Sequence, residues 1–162
     1  MQENKVPDNG RRHFIQQTMF AGLFLYLPIT ITKMLNPRGV VIAVSRFTVD
    51  VSVQRLIELL KNKGVKIYAI IDQQDELSQA GIIIPPMQFV LFGNPKTGGH
   101  VMIANPVAAL DLPLKVLVWQ DENNIVRAAY NDPGYLKERY SLSQQLSGML
   151  DLEPLMKVVL GS

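Results

Sequence analysis

Two runs of consecutive apolar residues, each bounded by a proline turn, restrict this chain more than any other feature. Phe89-Val90-Leu91-Phe92 ends on Gly93-Asn94-Pro95, and Asp111-Leu112-Pro113 launches a strand at Leu114-Lys115 whose apolar run is Val116-Leu117-Val118-Trp119. Apolar side chains at successive rather than alternate positions describe strands covered on both faces. Helices can supply one cover. The other requires more protein, and a second copy of the chain is one source.

The residues around these strands alternate between strand and helix patterns. Val40 to Phe47 is rich in β-branched residues and reads as a first strand. Thr48 is placed to cap a helix with Asp50 in its first turn, and Val49, Val53, Leu56 and Leu60 recur at helical spacing. Gly64 stops that helix, and Val65 to Asp72 is the next strand. Asp75 to Ala80 makes a short helix ending at Gly81, and Pro85-Pro86 breaks the chain before the strand Gln88 to Phe92. Lys96 to Leu110 reads as partly helical. Leu114 to Gln120 and Ile125 to Tyr130 form a hairpin across Asp121–Asn124. Asn131-Asp132-Pro133 starts a helix, with Asp as cap and Pro at the first helical position. Leu142 to Leu160 is one helix or two, with a break near Asp151 and Pro154. The expected fold class is α+β: one domain, residues 36–162, with a mixed or antiparallel sheet of about five strands and packed helices.

Residues 1–35 stand apart. Arg11-Arg12-His13-Phe14-Ile15-Gln16 opens an uncharged stretch from Phe14 to Thr32 of about 19 residues, close to the length a spanning helix needs. Paired arginines before such a stretch resemble a bacterial twin-arginine export signal, in which the cations stay on the cytoplasmic side. No Ala-x-Ala cleavage site closes it. Three readings remain open: a cleaved export signal, an uncleaved membrane anchor, and an N-terminal helix packed on the core. The first two place the domain in the periplasm or anchored facing it, touching membrane only through residues 11–35 if these stay attached.

The formal net charge of +2 resides wholly in residues 1–35, and the basic and acidic side chains of residues 36–162 cancel. A domain without basic excess lacks the means to neutralise phosphates, which argues against nucleic-acid binding. The chain has no cysteine, so disulfides, thiolate nucleophiles and Cys-based metal centres are excluded.

From Arg46 to about Tyr140 the chain resembles the domain-of-unknown-function family numbered 302. The matching stretches are Thr48-Val49-Asp50, Gly64 before a strand, Ile71-Asp72, Phe92-Gly93-Asn94-Pro95-Lys96, Ala109 to Trp119, and Tyr130-Asn131-Asp132-Pro133. The resemblance implies a compact α+β domain, often a homodimer, and no reaction. Gln73 and Gln74 follow the Ile-Asp pair where the family usually has His and small residues. Gly99-His100 stands where it usually has Gly-Thr-Pro.

Several residues invite chemical roles. Gly93-Asn94-Pro95-Lys96-Thr97-Gly98-Gly99-His100 looks like a phosphate loop but lacks the Gly-Lys-Ser/Thr ending that such loops need. Gly98 and Gly99 could still offer backbone N–H groups to an anion, or serve only a tight strand exit. Asp72, Asp111, Asn131 and Asp132 sit at strand ends and would line a pocket if those ends converge. Asp132 is already explained as a helix cap, and Asp111 is expected to bond local backbone in an Asp-x-Pro turn. His100 is the only histidine in the folded part, too few for a metal site. No metal or cofactor is expected. The candidate ligand set is Asp72, Asn94, Lys96, Gly98, Gly99, His100, Asp111 and Asn131. It supports a non-enzymatic small-ligand-binding or assembly module. The alternative is a small hydrolase or isomerase with Asp72 and His100 as acid and base.

Overall fold

A computed structural model describes residues 37–161; the leader proposed as a signal or anchor lies outside the described residues. Five strands form one fully antiparallel sheet in the order β1-β5-β4-β3-β2, with β1 Val40–Val44, β2 Lys66–Asp72, β3 Met87–Gly93, β4 Leu114–Gln120 and β5 Val126–Asn131. Six α-helices accompany it: α1 Val49–Asn62, α2 Gln73–Gln79, α3 Pro95–Ala104, α4 Pro133–Tyr140, α5 Gln144–Gly148 and α6 Glu153–Leu160. A 3-10 helix, Pro106–Asp111, follows α3. The fold is thus α+β, with the sheet wholly antiparallel rather than mixed.

Local chemistry sets most of the element boundaries. The Thr48 hydroxyl accepts from the Val51 N–H and starts α1, whose stripe Val49, Val53, Leu56 and Leu60 is buried. Gly64 takes a left-handed conformation (φ 65°) immediately after it, which costs glycine little. Asp132 accepts from the Tyr135 N–H, with Pro133 leading α4. The expected break near Asp151 is present, separating α5 from α6. At the β4–β5 hairpin Asp121 accepts from the N–H groups of Asn123 and Ile125, and from Arg127 Nε at 2.6 Å. The Arg127 hydrogen bond, ahead of the two backbone bonds, holds the Asp121 carboxyl below the usual carboxylate range.

The register defines two ends of the sheet. Lys66 pairs with Gly93, Phe92 with Leu114, and Val40 with Asn131, so the starts of β1, β2 and β4 share one end with the exits of β3 and β5. At the other end Asp72 pairs with Gln88, and Gln120 with Val126. We call these the Asn94 end and the Asp72 end. Seven residues of β2 put them roughly 20 Å apart at a strand's rise per residue.

One face of the sheet carries Val90, Phe92, Val116, Val118, Ala128 and Tyr130, all buried in a core closed by α1 and α6. A second apolar cluster sits at the Asn94 end: Val101 of α3, Ala108 of the 3-10 helix, Leu136 and Tyr140 of α4, Leu142 and Leu150. Leu114 packs against both. On the opposite sheet face Phe89, Leu91 and Leu117 remain half-buried among the described residues, and Trp119 is buried. The consecutive apolar runs are therefore sealed completely on one side and only partly on the other.

Candidate functional site

The strand exit at Gly93 and the turn that launches β4 face each other at the Asn94 end and wall a common recess. Gly93, Asn94 and Pro95 form one side, continued by Thr97, Gly98 and Met102 of α3. Leu112, Pro113 and Leu114 form the other, with Ala109, Leu150 and the half-exposed ring of Tyr68 completing it. The recess holds about 210 Å³, and its lining is chiefly apolar. The Leu112–Pro113 peptide is cis.

The recess depends on how α3 begins. The Asn94 side chain accepts from the Lys96 N–H at 2.9 Å, and Pro95 takes the first helical position. Gly98, expected in a loop, lies inside α3, where its N–H donates to the Asn94 carbonyl. Gly99 is helical as well. An anion nest is thereby ruled out for Gly98, because the helix consumes its N–H. The capping Asn, the leading Pro and the burial of Val101 outweigh the low helix propensity of two glycines. A Cβ on Gly98 would lie 3.6 Å from Met102 Cε and 3.9 Å from Leu112 Cδ1, whereas one on Gly99 would meet nothing within 4 Å. Gly98 therefore faces the recess and Gly99 open space. Lys96, His100 and Ile103 follow at helical spacing on the outer, exposed side of α3.

Asp111 has a different role from the local turn expected of it. Its Oδ2 accepts from the Tyr140 hydroxyl at 2.5 Å, its Oδ1 from Asn131 Nδ2 at 3.2 Å, and Arg139 and Lys115 stand at 3.4 and 3.9 Å. The carboxylate bridges the 3-10 helix to β5 and α4, because those elements bring the Asn131 amide, the Tyr140 hydroxyl and the Arg139 guanidinium together on it. Burial, then the hydrogen bond to Asp111, raises the Tyr140 hydroxyl above the ordinary tyrosine pKa. Asn131 belongs to this tie, and neither residue lines the recess.

Asp72 stands at the opposite end of the sheet. Its Oδ1 accepts from the Asp75 N–H and caps α2, which begins at Gln73 rather than Asp75. Around it lies an open, polar depression lined by Asp72, Gln74, Asp75, Ser78, Ile83 and Ile84. The strand ends that carry Asp72 and Asp111 do not converge, and Asp72 and His100 are separated by roughly the length of the sheet. No acid–base pair forms between them. Among the described residues no group of three or more His, Cys, Asp or Glu side chains could hold a metal ion, and no helix is long and apolar enough to cross a membrane.

Of the eight candidate residues, Asn94 and Gly98 line the recess, Lys96, Gly99 and His100 lie on the same helix outside it, and Asp72, Asp111 and Asn131 are elsewhere. Tyr68, Met102, Leu112 and Pro113 were missed as lining. They are apolar residues without chemical signature, and only their position on the block from Ala109 to Trp119 hinted at two of them.

The family model described as "Domain of unknown function DUF302" matches residues 40–157. Over 104 residues the chain is 33% identical to the protein described as "Fluoride-specific ion channel FluC 1" from Brucella suis biovar 1 (strain 1330), covering 64% of this chain and 41% of that protein. It is equally identical over 104 residues to the FluC 1 protein of Brucella abortus biovar 1 (strain 9-941), covering 38% of it. The chain thus spans about two-fifths of the length of these curated relatives. Among solved structures, that of an uncharacterized conserved DUF302 protein from Bacillus stearothermophilus superposes with a TM-score of 0.63 at 21% identity, over 76% of this chain and 97% of that one. That likeness shows the fold.

Proposed function

The chain belongs to the family described as Domain of unknown function DUF302, and from that premise we propose that it is a non-enzymatic binding module whose site is the recess at the Asn94 end. The observation that carries this reading is the apolar hollow walled jointly by the Gly93-Asn94-Pro95 and Leu112-Pro113-Leu114 turns. Preformed concave apolar sites with a few polar groups at the rim are the usual form of a small-molecule site. The volume suits a short alkyl chain or a single ring, and the Thr97 hydroxyl and Asn94 amide can address a polar end group.

The reading includes an exported or membrane-anchored domain, held by residues 11–35, and a homodimer as the family resemblance implies. Sequencing the N-terminus of the mature protein and measuring its mass by sedimentation test these two points.

The binding role is tested with two substitutions that share one helix. Gly98→Leu fills the recess and Gly99→Leu points into open space. Native mass spectrometry of the wild-type chain should carry a co-purified small molecule, or a ligand screen should raise its melting temperature. Gly98→Leu should lose that signal and Gly99→Leu keep it. Equal binding by both variants would remove the recess as the site.

A second reading, assembly with a membrane protein, is favoured by the relatives described as fluoride-specific ion channels, which extend well beyond the segment aligned with this chain. By that likeness the domain acts as an accessory part beside an integral membrane partner. Cross-linking in intact envelopes followed by mass spectrometry tests it, and recovery of the chain alone would count against it.

A further inference from the structure

Beside the recess, the Asn94 end presents four large apolar side chains to solvent. Met102 and Ile103 project from α3, and Val107 and Leu110 from the 3-10 helix; Ile103 is 82% and Leu110 71% exposed. Such a cluster is costly to leave in water and marks a contact surface. The shoulder that carries it is firmly held: Asn105 Nδ2 donates to the Tyr140 carbonyl, and Val101 and Ala108 are buried beneath.

The charge around the shoulder selects its occupant. From Gly93 to Leu110 there is no acidic residue, while Lys96 and His100 share an exposed stripe with Ile103. The nearby carboxylate of Asp111 faces Lys115 and Arg139, and Glu138 faces Arg38 at 3.7 Å. Asp50, Asp72, Asp75, Glu76, Asp121 and Glu122 lie at the Asp72 end, and Asp132, Asp151 and Glu153 lie around Tyr130 of β5, none of them on the shoulder. The shoulder from Gly93 to Leu110 thus combines exposed apolar groups with Lys96 and carries no carboxylate, whereas the exposed Ile82 and Ile83 at the other end lie near Asp72 and Asp75.

The entry of the chain points the same way. Val40 pairs with Asn131, so the polypeptide arriving from residues 1–36 joins the sheet at the Asn94 end. Lys33 to Gly39 is all that separates the uncharged stretch from β1, a reach of at most about 25 Å when fully extended. A domain tethered this closely sees a bilayer at high effective concentration.

We propose that the shoulder formed by α3 and the 3-10 helix docks on an anionic lipid surface, with Ile103, Val107 and Leu110 at the boundary between headgroups and acyl chains, and Lys96 on the headgroups. Insertion of apolar groups at the headgroup boundary and attraction of a cation to anionic headgroups are the two contributions to interfacial binding, and the shoulder supplies the first through three side chains and the second through Lys96 alone. The proposal rests on the reading of residues 11–35 as an anchor, and it gives the domain a fixed orientation with the Asp72 end away from the membrane.

The absence of native cysteine allows single-site labelling of the full chain. Ile103→Cys and Leu110→Cys probe the shoulder, and Ile83→Cys, 94% exposed beside Asp72, is the control. Each variant carries an environment-sensitive fluorophore and is reconstituted on phosphatidylcholine vesicles with and without phosphatidylglycerol. Thermal unfolding of each variant verifies the fold. On the anionic vesicles the labels at 103 and 110 should shift to the blue and the label at 83 stay at its water value. Lys96→Glu in the Ile103→Cys background should weaken the shift. If all three variants float with the vesicles while 103 and 110 keep water-like emission, the anchor holds and the docking is overturned. If none floats, anchor and docking fall together. A shift that fades as the chain is diluted in lipid reports a second copy on the patch and also overturns the proposal.

Discussion

Replacing Asp111 by Ala tests whether this carboxylate is a strut or a free binding group. Its removal deletes a 2.5 Å bond from the Tyr140 hydroxyl and a 3.2 Å bond from Asn131, and unpairs Arg139 and Lys115. A hydrogen bond to a charged acceptor contributes about 1.5–3 kcal/mol, and a neutral donor left buried costs a similar amount. The two ion pairs, with partly exposed cations, add roughly 0–1 kcal/mol each. These contributions overlap, because truncation both breaks the Tyr140 bond and strands its donor. We expect a loss of about 3 kcal/mol in urea unfolding of the full chain, and a melting temperature lower by about 10 °C for a domain of this size. The cycle Asp111→Ala, Tyr140→Phe and the double variant isolates the central contact, which should couple by at least about 1.5 kcal/mol. A loss below about 0.5 kcal/mol, or no coupling, would show that the tie between the 3-10 helix, β5 and α4 does not hold the fold, and would return Asp111 to the ligand set.

Three further outcomes are expected. Burial lifts the hydroxyls of Tyr130 and Tyr140 above their ordinary pKa; a raised pKa gives stability that is complete below about pH 10 and lost as pH climbs through the folded values, so urea midpoints should fall in that alkaline range, and less steeply in Tyr140→Phe. Gly39→Ala should destabilise by more than about 2 kcal/mol in thermal unfolding, because Gly39 has φ 82° and its Cβ would lie 2.3 Å from the Tyr135 ring. Arg55 donates to the carbonyls of Val158 and Val159 at 2.8 Å and stacks on Phe47, so Arg55→Ala should cost about 1–2 kcal/mol and raise amide exchange at the end of α6.

The apolar stripe of α1, the caps at Thr48 and Asp132, the Gly64 stop, the β4–β5 hairpin and the break before α6 were all readable in the chain, because each depends on residues within a turn or two of one another. The Gly98-Gly99 pair was misread as a loop. Its neighbours settle the matter: a capping Asn94, a leading Pro95 and a buried Val101 drive helix formation through glycines that would otherwise resist it. The strand order and the wholly antiparallel pairing depend on contacts between segments far apart in sequence, which local propensity does not encode.

The candidate site divides along the same line. Polar residues at strand ends can be listed from the chain, but the end of the sheet on which each one falls depends on register. Register sets Phe92 opposite Leu114, which brings Asn94 to the Leu112-Pro113 turn, and carries Asp72 to the far end, so one group of candidates borders the recess and another caps a helix. It also leaves Asp111 among Tyr140, Asn131, Arg139 and Lys115, three of them twenty or more residues away in sequence. Composition and short-range spacing thus determined the α+β class, most element boundaries and the exclusion of thiol chemistry. Which side chains meet, which apolar groups remain in water and where a ligand could sit were decided only when the strands paired, since those outcomes arise from long-range packing.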